Sequence, residues 1–246
     1  MPRTHQNLKR LYVEDDLAAG SALALSREQS NYLGAVLRMQ PGDELIVFNG
    51  RHGAWLAKID NAGKKAVTLA PAAQIAPQPP ATGLWYGFAP LKAGRLDYMV
   101  QKATEMGAGA LQPVVTQFTQ VRGLRLDKLR ANAIEAAEQC EVLSVPQILP
   151  EIALTDLLRG WDPERRLIVA DEAAASASPA DKLRALSGRK LGLLIGPEGG
   201  FSDDERTLLR AQPFVTAISL GPRILRADTA AVAALAVIQA IIGDWR

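Results

Sequence analysis

The sequence predicts an α/β protein with two domains, a small β-barrel followed by a larger domain built on a parallel sheet. Residues 70–83 hold four of the 15 prolines, a density that favours an extended connector over regular structure. Short strand patterns separated by turns precede this stretch, whereas strands and helices alternate after it. We therefore place one domain at residues 1–72 and the other at residues 73–246.

The first domain is predicted from closely spaced strands. Apolar and β-branched residues indicate strands at residues 45–48, 54–59 and 66–69, and Asn49 with Gly50 forms a turn after the first of them. Ser26 is a suitable N-cap for a helix that extends to Met39. This close spacing of short strands favours a small antiparallel barrel.

The second domain is predicted from alternating elements. Short apolar runs indicate buried strands at residues 84–88, 166–170, 191–195 and 216–220. A helix is expected at residues 95–106. Another is indicated by apolar residues at three- and four-residue spacing, namely Leu126, Leu129, Ala133, Ala136 and Cys140. Alternation of this kind is typical of a parallel sheet covered by helices.

Capping residues predict where the last two helices begin. Ser202 and Glu205 have the spacing of a capping box, so a helix should begin there and end near Arg210. Asp228 or Thr229 should cap a final apolar helix that ends near Ile242.

Composition excludes several classes of protein. Hydrophobic residues make up 48% of the chain, charged residues 22%, and the net charge is only +2, as in an ordinary globular protein. The longest apolar run, at residues 230–238, is too short to cross a bilayer, and no signal segment opens the chain. One cysteine and two histidines give neither an internal disulfide nor a zinc cluster. We expect a cytoplasmic protein that binds no metal and no membrane.

Two loops carry the most unusual chemistry. Residues 195–202 and 220–229 each place Gly-Pro directly after a predicted strand and directly before a helix. Ligands of open α/β sheets bind beyond the carboxyl ends of strands, and glycine lets the backbone approach a ligand closely. Exposed amides and carbonyls on such loops suit the edge of a purine. Termination of the strands alone would explain one such loop, but explains less well a pair that also carries Glu198 and Arg226.

Familiar alternatives are missing from the sequence. No G-x-G-x-x-G follows a strand and no G-x-x-x-x-G-K-[ST] occurs, which argues against a dinucleotide dehydrogenase and a P-loop NTPase. G-x-S-x-G is absent too, and no histidine is suitably placed for a serine-hydrolase triad.

The segments IGPEGGFSDDE (residues 195–205) and LGPRILRADTA (residues 220–230) resemble the SPOUT class of RNA methyltransferases. The chain is most similar to the ribosomal small subunit methyltransferase E family, which methylates N3 of a uridine in 16S ribosomal RNA. VLRMQPGDELIVFNG (residues 36–50) resembles the PUA-like domain of that family. KAGRLDYMVQKATEMGAGALQPVVT (residues 92–116) and AIEAAEQC (residues 133–140) resemble its central segments.

This resemblance implies a deep trefoil knot in the second domain, a homodimer formed partly by the last helix, and a PUA-like domain that grips RNA. It also implies that S-adenosylmethionine binds in the knot, held mainly by the backbone of the two loops. The implied cofactor-binding residues are Leu194, Ile195, Gly196, Pro197, Glu198, Gly199, Leu220, Gly221, Ile224, Leu225, Arg226, Thr229 and Ala230.

Arg226 and Glu198 are the catalytic candidates. Uracil N3 is a poor nucleophile until its proton leaves, so a cation that stabilises the anion or a base that takes the proton is useful. Arg226 suits the first role, although a salt bridge with Asp228 or Glu198 would also explain it. Glu198 suits the second role or binds the cofactor, and is equally explained as a carboxylate near a helix start.

Five basic residues are candidates for phosphate contacts, although any one of them could be a solvated surface charge: Arg3, Arg10, Arg38, Lys92 and Arg95. Cys140 lies on an apolar helical face and is expected to be a small core residue, since N3 methylation needs no covalent nucleophile.

Two positions depart from the family pattern. The family usually has a histidine just before V-L-R, where this chain has Asn31 and Tyr32, and usually has Gly-Arg where this chain has Glu141 and Val142. Two other functions stay open at this point. One is a SPOUT methyltransferase with another target, such as a ribose 2′-hydroxyl or a different base, and the other is a non-catalytic RNA-binding protein.

Overall fold

The computed structural model describes residue 5 and residues 7–63, 66–174 and 178–245. The chain divides into two compact units. The first comprises Met1–Ala81 and Ala137–Val145, and the second Thr82–Ala136 and Pro146–Arg246. The boundary predicted after residue 72 falls inside the last strand of the first unit. Within the described ranges, no helix combines the length and apolar character that a bilayer crossing needs.

The first unit contains a five-stranded sheet. Its strands are β1 (Arg10–Tyr12), β2 (Leu23–Ala24), β3 (Glu44–Phe48), β4 (Ala54–Ala62) and β5 (Val67–Ala76). They lie in the order β1-β3-β4-β5-β2, and neighbours are antiparallel except for β1 and β3, which are parallel. The alternating side chains of β3 and β4 bury Leu45, Val47, Ala57 and Ile59 in one core, with Leu33 from the helical segment.

The proline-rich stretch is partly strand, contrary to the sequence prediction. We expected an extended connector from residue 70, but β5 continues through Pro71 to Ala76. Pro71 pairs with Ala57 where the register shifts between Leu56 and Ala57. A proline lacks an amide donor, so it is tolerated at such an irregularity, and its carbonyl accepts a bond from Gly20 N at 3.0 Å.

The predicted helix at residues 26–39 begins as expected but does not stay regular. Ser26 caps α1 (Arg27–Asn31) in a capping box with Gln29. The chain then forms a π-helical turn over Tyr32–Val36. Arg38 has a φ of 56°, a left-handed conformation that no α-helix continues through. Asn31 is therefore exposed at the junction between α1 and the π-helical turn.

The second unit is built on a parallel sheet, as predicted. Its strands are β6 (Trp85–Phe88), β7 (Ala110–Val115), β8 (Gln147–Ile148), β9 (Ile152–Ala153), β10 (Arg165–Ala170), β11 (Lys190–Ile195) and β12 (Val215–Ile218). The order is β12-β10-β11-β6-β7-β8, with β9 paired to β7. Every pairing is parallel, so the carboxyl ends of all these strands lie at one edge.

Six helices connect or follow these strands within the described ranges: α2 (Ala93–Glu105), α3 (Leu126–Cys140), α4 (Leu154–Arg159), α5 (Pro179–Arg184), α6 (Asp203–Arg210) and α7 (Ala227–Ile242). The capping box predicted at Ser202 and Glu205 is confirmed. The predicted cap of the last helix is wrong. Arg226 is the N-cap, because its extended backbone leads directly into Ala227, and Asp228 lies in the first turn. A carboxylate there is favoured by the positive end of the helix dipole.

The end of α3 corrects the expectation for Cys140. Leu129, Ala133 and Ala136 are buried as predicted, but Cys140 is exposed because it is the last residue of the helix. Glu141 directly follows the helix with a left-handed φ of 61°, and Val142 N donates to Ala137 O at 3.1 Å. The family pattern has glycine here, a residue that adopts this conformation without steric cost.

Glu141 makes an ion pair that no glycine could make. Its carboxylate lies 2.6 Å from Arg10 Nη2, and the Arg10 side chain is only 7% exposed. One residue of β1 thus meets the segment Ala137–Val145 of the same unit, where Tyr12 N also donates to Glu138 Oε1 at 2.8 Å. A charge this buried depends on its carboxylate partner.

Glu141→Gln should lower the free energy of unfolding by about 1–3 kcal/mol, because the buried guanidinium of Arg10 loses the negative charge that lies 2.6 Å from it. Chemical denaturation followed by circular dichroism measures this. Asp127→Asn is the control, since the Arg125–Asp127 pair has the same 2.6 Å separation but is exposed on both sides. It should cost at most about 0.5 kcal/mol. Equal losses in the two variants would contradict burial as the cause.

Candidate active site

Three neighbouring strands direct their following loops to one place. β10 lies between β11 and β12 in the sheet, and all three are parallel. The two loops predicted from sequence follow β11 and β12, so they flank the short segment that follows β10. This is the edge at which ligands of open α/β sheets bind.

The loop after β11 is a tight, partly buried turn. Gly196 and Pro197 are buried, and Gly200 N donates to Pro197 O at 2.9 Å. A methyl group on Gly196 would lie 3.1 Å from the ring of Phe201, closer than ordinary van der Waals contact, so a side chain here would require the ring to shift. Leu194 and Ile195 are buried within β11, which leaves their backbone as the part able to reach a ligand.

The loop after β12 is open by comparison. Gly221 has a φ of 108°, with no atom within 4 Å of the position a side chain would occupy. Ile224 is 87% exposed. Five of the predicted cofactor residues line one small cleft: Leu220, Gly221, Ile224, Leu225 and Ala230.

Sequence reasoning missed the acidic residues of this cleft. Asp171 and Glu172 follow β10 and line the cleft together with Arg223. Asp171 is only 5% exposed; its carboxylate accepts from Arg210 Nη2 at 3.0 Å and lies 3.7 Å from Arg206 Nε, while Glu172 bonds to Arg206. These arginines belong to α6. The signal available in the sequence was an acidic pair after an apolar strand, in the same position as the two loops.

Two predicted residues with different roles are neighbours. Glu198, the candidate base, lies 3.8 Å from Arg95 Nη1, a candidate for phosphate contact, and both side chains are partly exposed. Arg226, the other catalytic candidate, is exposed at the start of α7. Across the part of the chain that the structure describes, no carboxylate pairs with Arg226, so neither Asp228 nor Glu198 forms the salt bridge that would explain it structurally.

The first turn of α7 also contributes charge. Asp228 Oδ1 accepts from Thr229 N at 2.8 Å, and Thr229 is exposed. Burial raises the pKa of the Tyr86 phenol far above its ordinary value, and the Asp228 carboxylate raises it further. Tyr86 is therefore neutral at physiological pH and donates to Met99 Sδ at 3.1 Å.

The remaining candidates are spread over both units. Lys92 is the N-cap residue of α2 in the second unit. Arg38 is exposed in the first unit, whereas Arg10 is the buried partner of Glu141. Arg3 lies outside the described residues. No cluster of histidine, cysteine and acidic residues suited to a metal occurs among those the structure describes.

Comparison with known proteins identifies the family to which the chain belongs. A family of RNA methyltransferase domains matches residues 78–239, and a family of RNA methyltransferase PUA domains matches residues 25–71. Ribosomal RNA small subunit methyltransferase E from Rickettsia conorii is 32% identical over 232 residues, which are 94% of each chain. The chain belongs to the ribosomal RNA small subunit methyltransferase E family.

Solved structures agree with that assignment. A small subunit methyltransferase E from Neisseria gonorrhoeae matches with a TM-score of 0.89 at 27% identity, covering 98% of this chain and 100% of the other. A methyltransferase from Legionella pneumophila matches with a TM-score of 0.83 at 31% identity, covering 95% and 98%. Both of those proteins were solved with S-adenosylmethionine bound. The resemblance found in the sequence, including the PUA-like first domain, is confirmed.

The structure shows where the two departures from the methyltransferase E pattern, Asn31 and Glu141, lie. Asn31 is exposed at the end of α1, and the neighbouring Ser30 hydroxyl accepts from Val67 N at 3.0 Å, so this stretch also joins α1 to β5. Glu141 directly follows α3 and forms an ion pair with Arg10. Neither residue lies in the cleft that follows β10, β11 and β12.

Proposed function

We propose that this protein methylates N3 of a uridine in 16S ribosomal RNA of the small subunit, with S-adenosylmethionine as methyl donor. Family membership supports the reaction class, since relatives that align over nearly the whole chain are ribosomal RNA small subunit methyltransferases. The observation that carries the proposal is the cleft formed after β10 and β12. The segment after β12 that lines this cleft also carries Arg226, which is exposed and has no ionic partner among the described residues. The choice of uridine N3 rests on the family resemblance of the two loops.

The residues at the cleft fit this cofactor. The open backbone around Gly221 offers amide and carbonyl groups to an adenine edge, and Leu220, Ile224 and Leu225 offer apolar surface to its faces. Glu172 is half exposed, and its negative charge complements a ligand that carries a sulfonium and an ammonium. Gly196 to Gly199 would complete the site from the β11 side.

When bound, the cofactor supplies an electrophilic methyl group. The protein must hold the uracil in line with that group and manage the proton that leaves N3. Arg226 is placed to stabilise the negative charge that develops on N3 and O4, since a guanidinium stays charged and presents planar donors.

Glu198 is the candidate proton acceptor. The ion pair with Arg95 at 3.8 Å connects the loop after β11, which carries Glu198, to α2. Arg95 has further N–H donors that would contact an RNA phosphate while one of them faces Glu198. RNA binding would then influence the position of Glu198, the candidate proton acceptor.

The PUA-like unit is proposed to bind RNA, with Arg38 as its exposed basic candidate within the described residues. We also propose a homodimer in which α7 forms part of the interface. Val232, Val237 and Ile241 lie on that helix and are only partly buried in the single chain. Partly exposed apolar side chains on one helix are typical of such an interface.

Gly221→Ala should weaken S-adenosylmethionine binding about tenfold or more, because any side chain disfavours the left-handed backbone that shapes the cleft. Isothermal titration calorimetry measures the affinity. Gly188→Ala is the matched control, since Gly188 has a φ of 76° and equally open surroundings but precedes β11 at the other edge of the sheet. Equal affinities in the two variants would remove Gly221 from the cofactor site.

Arg226→Ala should lower kcat by about 10²- to 10³-fold, the usual effect of removing one donor that stabilises developing charge. Arg226→Lys should recover only part of the rate, because an ammonium lacks the planar fork of a guanidinium. Arg184→Ala, which removes an exposed arginine paired with Asp181 on α5, is the control. A lower cofactor affinity with unchanged kcat would assign Arg226 to binding alone.

The function itself is tested with purified protein, labelled S-adenosylmethionine and small ribosomal subunits that lack base methylation. The RNA is digested and the labelled nucleoside is identified by mass spectrometry. We expect label in 3-methyluridine at a single site. Label in another nucleoside would reassign the target, and no label despite cofactor binding would exclude this substrate.

A further inference from the structure

Phe118 is a large apolar side chain exposed beside the proposed active site. It follows β7, whose carboxyl end lies at the same edge of the sheet as the two cofactor loops, and it is 44% exposed. Burial of a phenylalanine is strongly favourable, so an aromatic ring held in solvent at a ligand-binding edge calls for an explanation.

The exposure of Phe118 is built into its loop. Thr116 N donates to Thr119 Oγ1 at 2.9 Å, and Thr119 N donates to Thr116 O at 3.2 Å, so the chain turns back on itself around the two intervening residues. Both threonines are buried. Gln117 N donates to Oε1 of Glu205, the capping-box residue of α6, at 2.7 Å. These bonds fix the backbone on both sides of Phe118.

The ring lies against the loop after β11. A methyl group on Gly199 would be 3.4 Å from Cβ of Phe118 and 3.6 Å from Cγ and Cδ2 of its ring, which is van der Waals contact. Gly199 directly follows Glu198, and Glu198 is held by Arg95. An exposed aromatic face, a carboxylate and a guanidinium are thus grouped within a few residues of the cofactor loop.

The surroundings of Phe118 favour a nucleobase over an apolar protein surface. Its neighbours Gln117 and Gln120 are exposed and polar, the carboxylate of Glu205 accepts from Gln117 N, and the adjoining loop carries Glu198 with its partner Arg95. A protein interface core is depleted of charge, whereas sites for unpaired nucleic acid combine aromatic platforms with basic and amide groups.

We propose that Phe118 is a stacking platform for an unpaired nucleobase of the RNA strand that enters the active site. This inference rests on the proposed function and deepens it, because it names a residue that positions the RNA. The ring would hold the splayed strand beside Glu198 while Arg95 contacts the adjoining phosphate. Stacking contributes to binding before and during the reaction alike, so it should act on KM and leave kcat nearly unchanged.

The test compares Phe118→Ala, Phe118→Leu and Phe118→Tyr. The alanine and leucine variants should raise KM for the small subunit by about 5- to 150-fold, the range expected for loss of one stacked base. The tyrosine variant should retain the KM of the unaltered protein, since it keeps the aromatic face. Trp245→Ala is the control: that aromatic is 53% exposed but lies beyond the end of α7. Its KM should be unchanged.

A second readout is independent of turnover. Phe118→Trp should show quenched fluorescence on addition of unmodified small-subunit RNA, relative to the unaltered protein, because a stacked base quenches an indole. Affinity for the same RNA, measured by filter binding, should fall in the alanine and leucine variants. Affinity for S-adenosylmethionine and the molar mass in light scattering should be those of the unaltered protein.

Each other outcome overturns the proposal. A leucine variant as good as phenylalanine would mean simple apolar contact, a change in cofactor affinity would mean contact with the cofactor, and a change in molar mass would mean contact with a second copy. The proposed function fails separately. If the unaltered protein binds RNA but transfers no methyl group, the filter-binding and fluorescence results still decide the role of Phe118. If the unaltered protein binds no RNA, both fail.

Discussion

The candidate site depends on one buried carboxylate, that of Asp171. Its backbone amide bonds to Ile218 O at the end of β12, and its side chain bonds to Arg210 and approaches Arg206 on α6. The second loop begins just after Ile218, and α6 begins just after the first loop. One residue that follows β10 therefore connects the start of the second glycine-containing loop to the helix that follows the first. The Asp171 side chain is nearly fully buried and that of Arg206 is largely buried, so removal of one of these two charges would leave the other poorly solvated.

The charges around the site divide into fixed and available groups. Asp171 and Glu172 pair with Arg206 and Arg210, and these four opposite charges hold the segment after β10 against α6. Glu198, Arg95 and Arg226 are partly or largely exposed, so they can exchange water for a substrate. Preorganised dipoles and charges lower an activation barrier most when they need not move during the reaction. The ion pairs of Asp171 with α6 make the loops that carry Glu198 and Arg226 more rigid.

Much of the fold could be predicted from local sequence, because local signals determined it. The capping box at Ser202, the apolar face of α3 and the strands of the parallel sheet each depend on residues close together in the chain. The misses depended on tertiary partners. Pro71 stays in a strand because a register shift accommodates it, and Cys140 is exposed because the helix stops there.

The same distinction applies to the site. The two glycine-rich loops were found from their motifs, whereas Asp171 and Glu172 were not, since their importance comes from arginines more than 30 residues away on α6. Phe118 carries no motif either. Its significance comes from exposure and from contact with Gly199, and neither property is written in the sequence around it.

The passage of α3 from one unit into the other has a consequence for how this protein can be altered. The first unit includes Ala137–Val145, so the chain leaves it after Ala81, returns at Ala137 and leaves again after Val145. A fragment that ends at Ala81 would lack Glu138 and Glu141 and would expose the strand that carries Arg10. Recombination at a single junction therefore cannot exchange the PUA-like unit for another. A successful exchange would have to include the end of α3 as well as the N-terminal segment, so the two parts of the first unit must be replaced together.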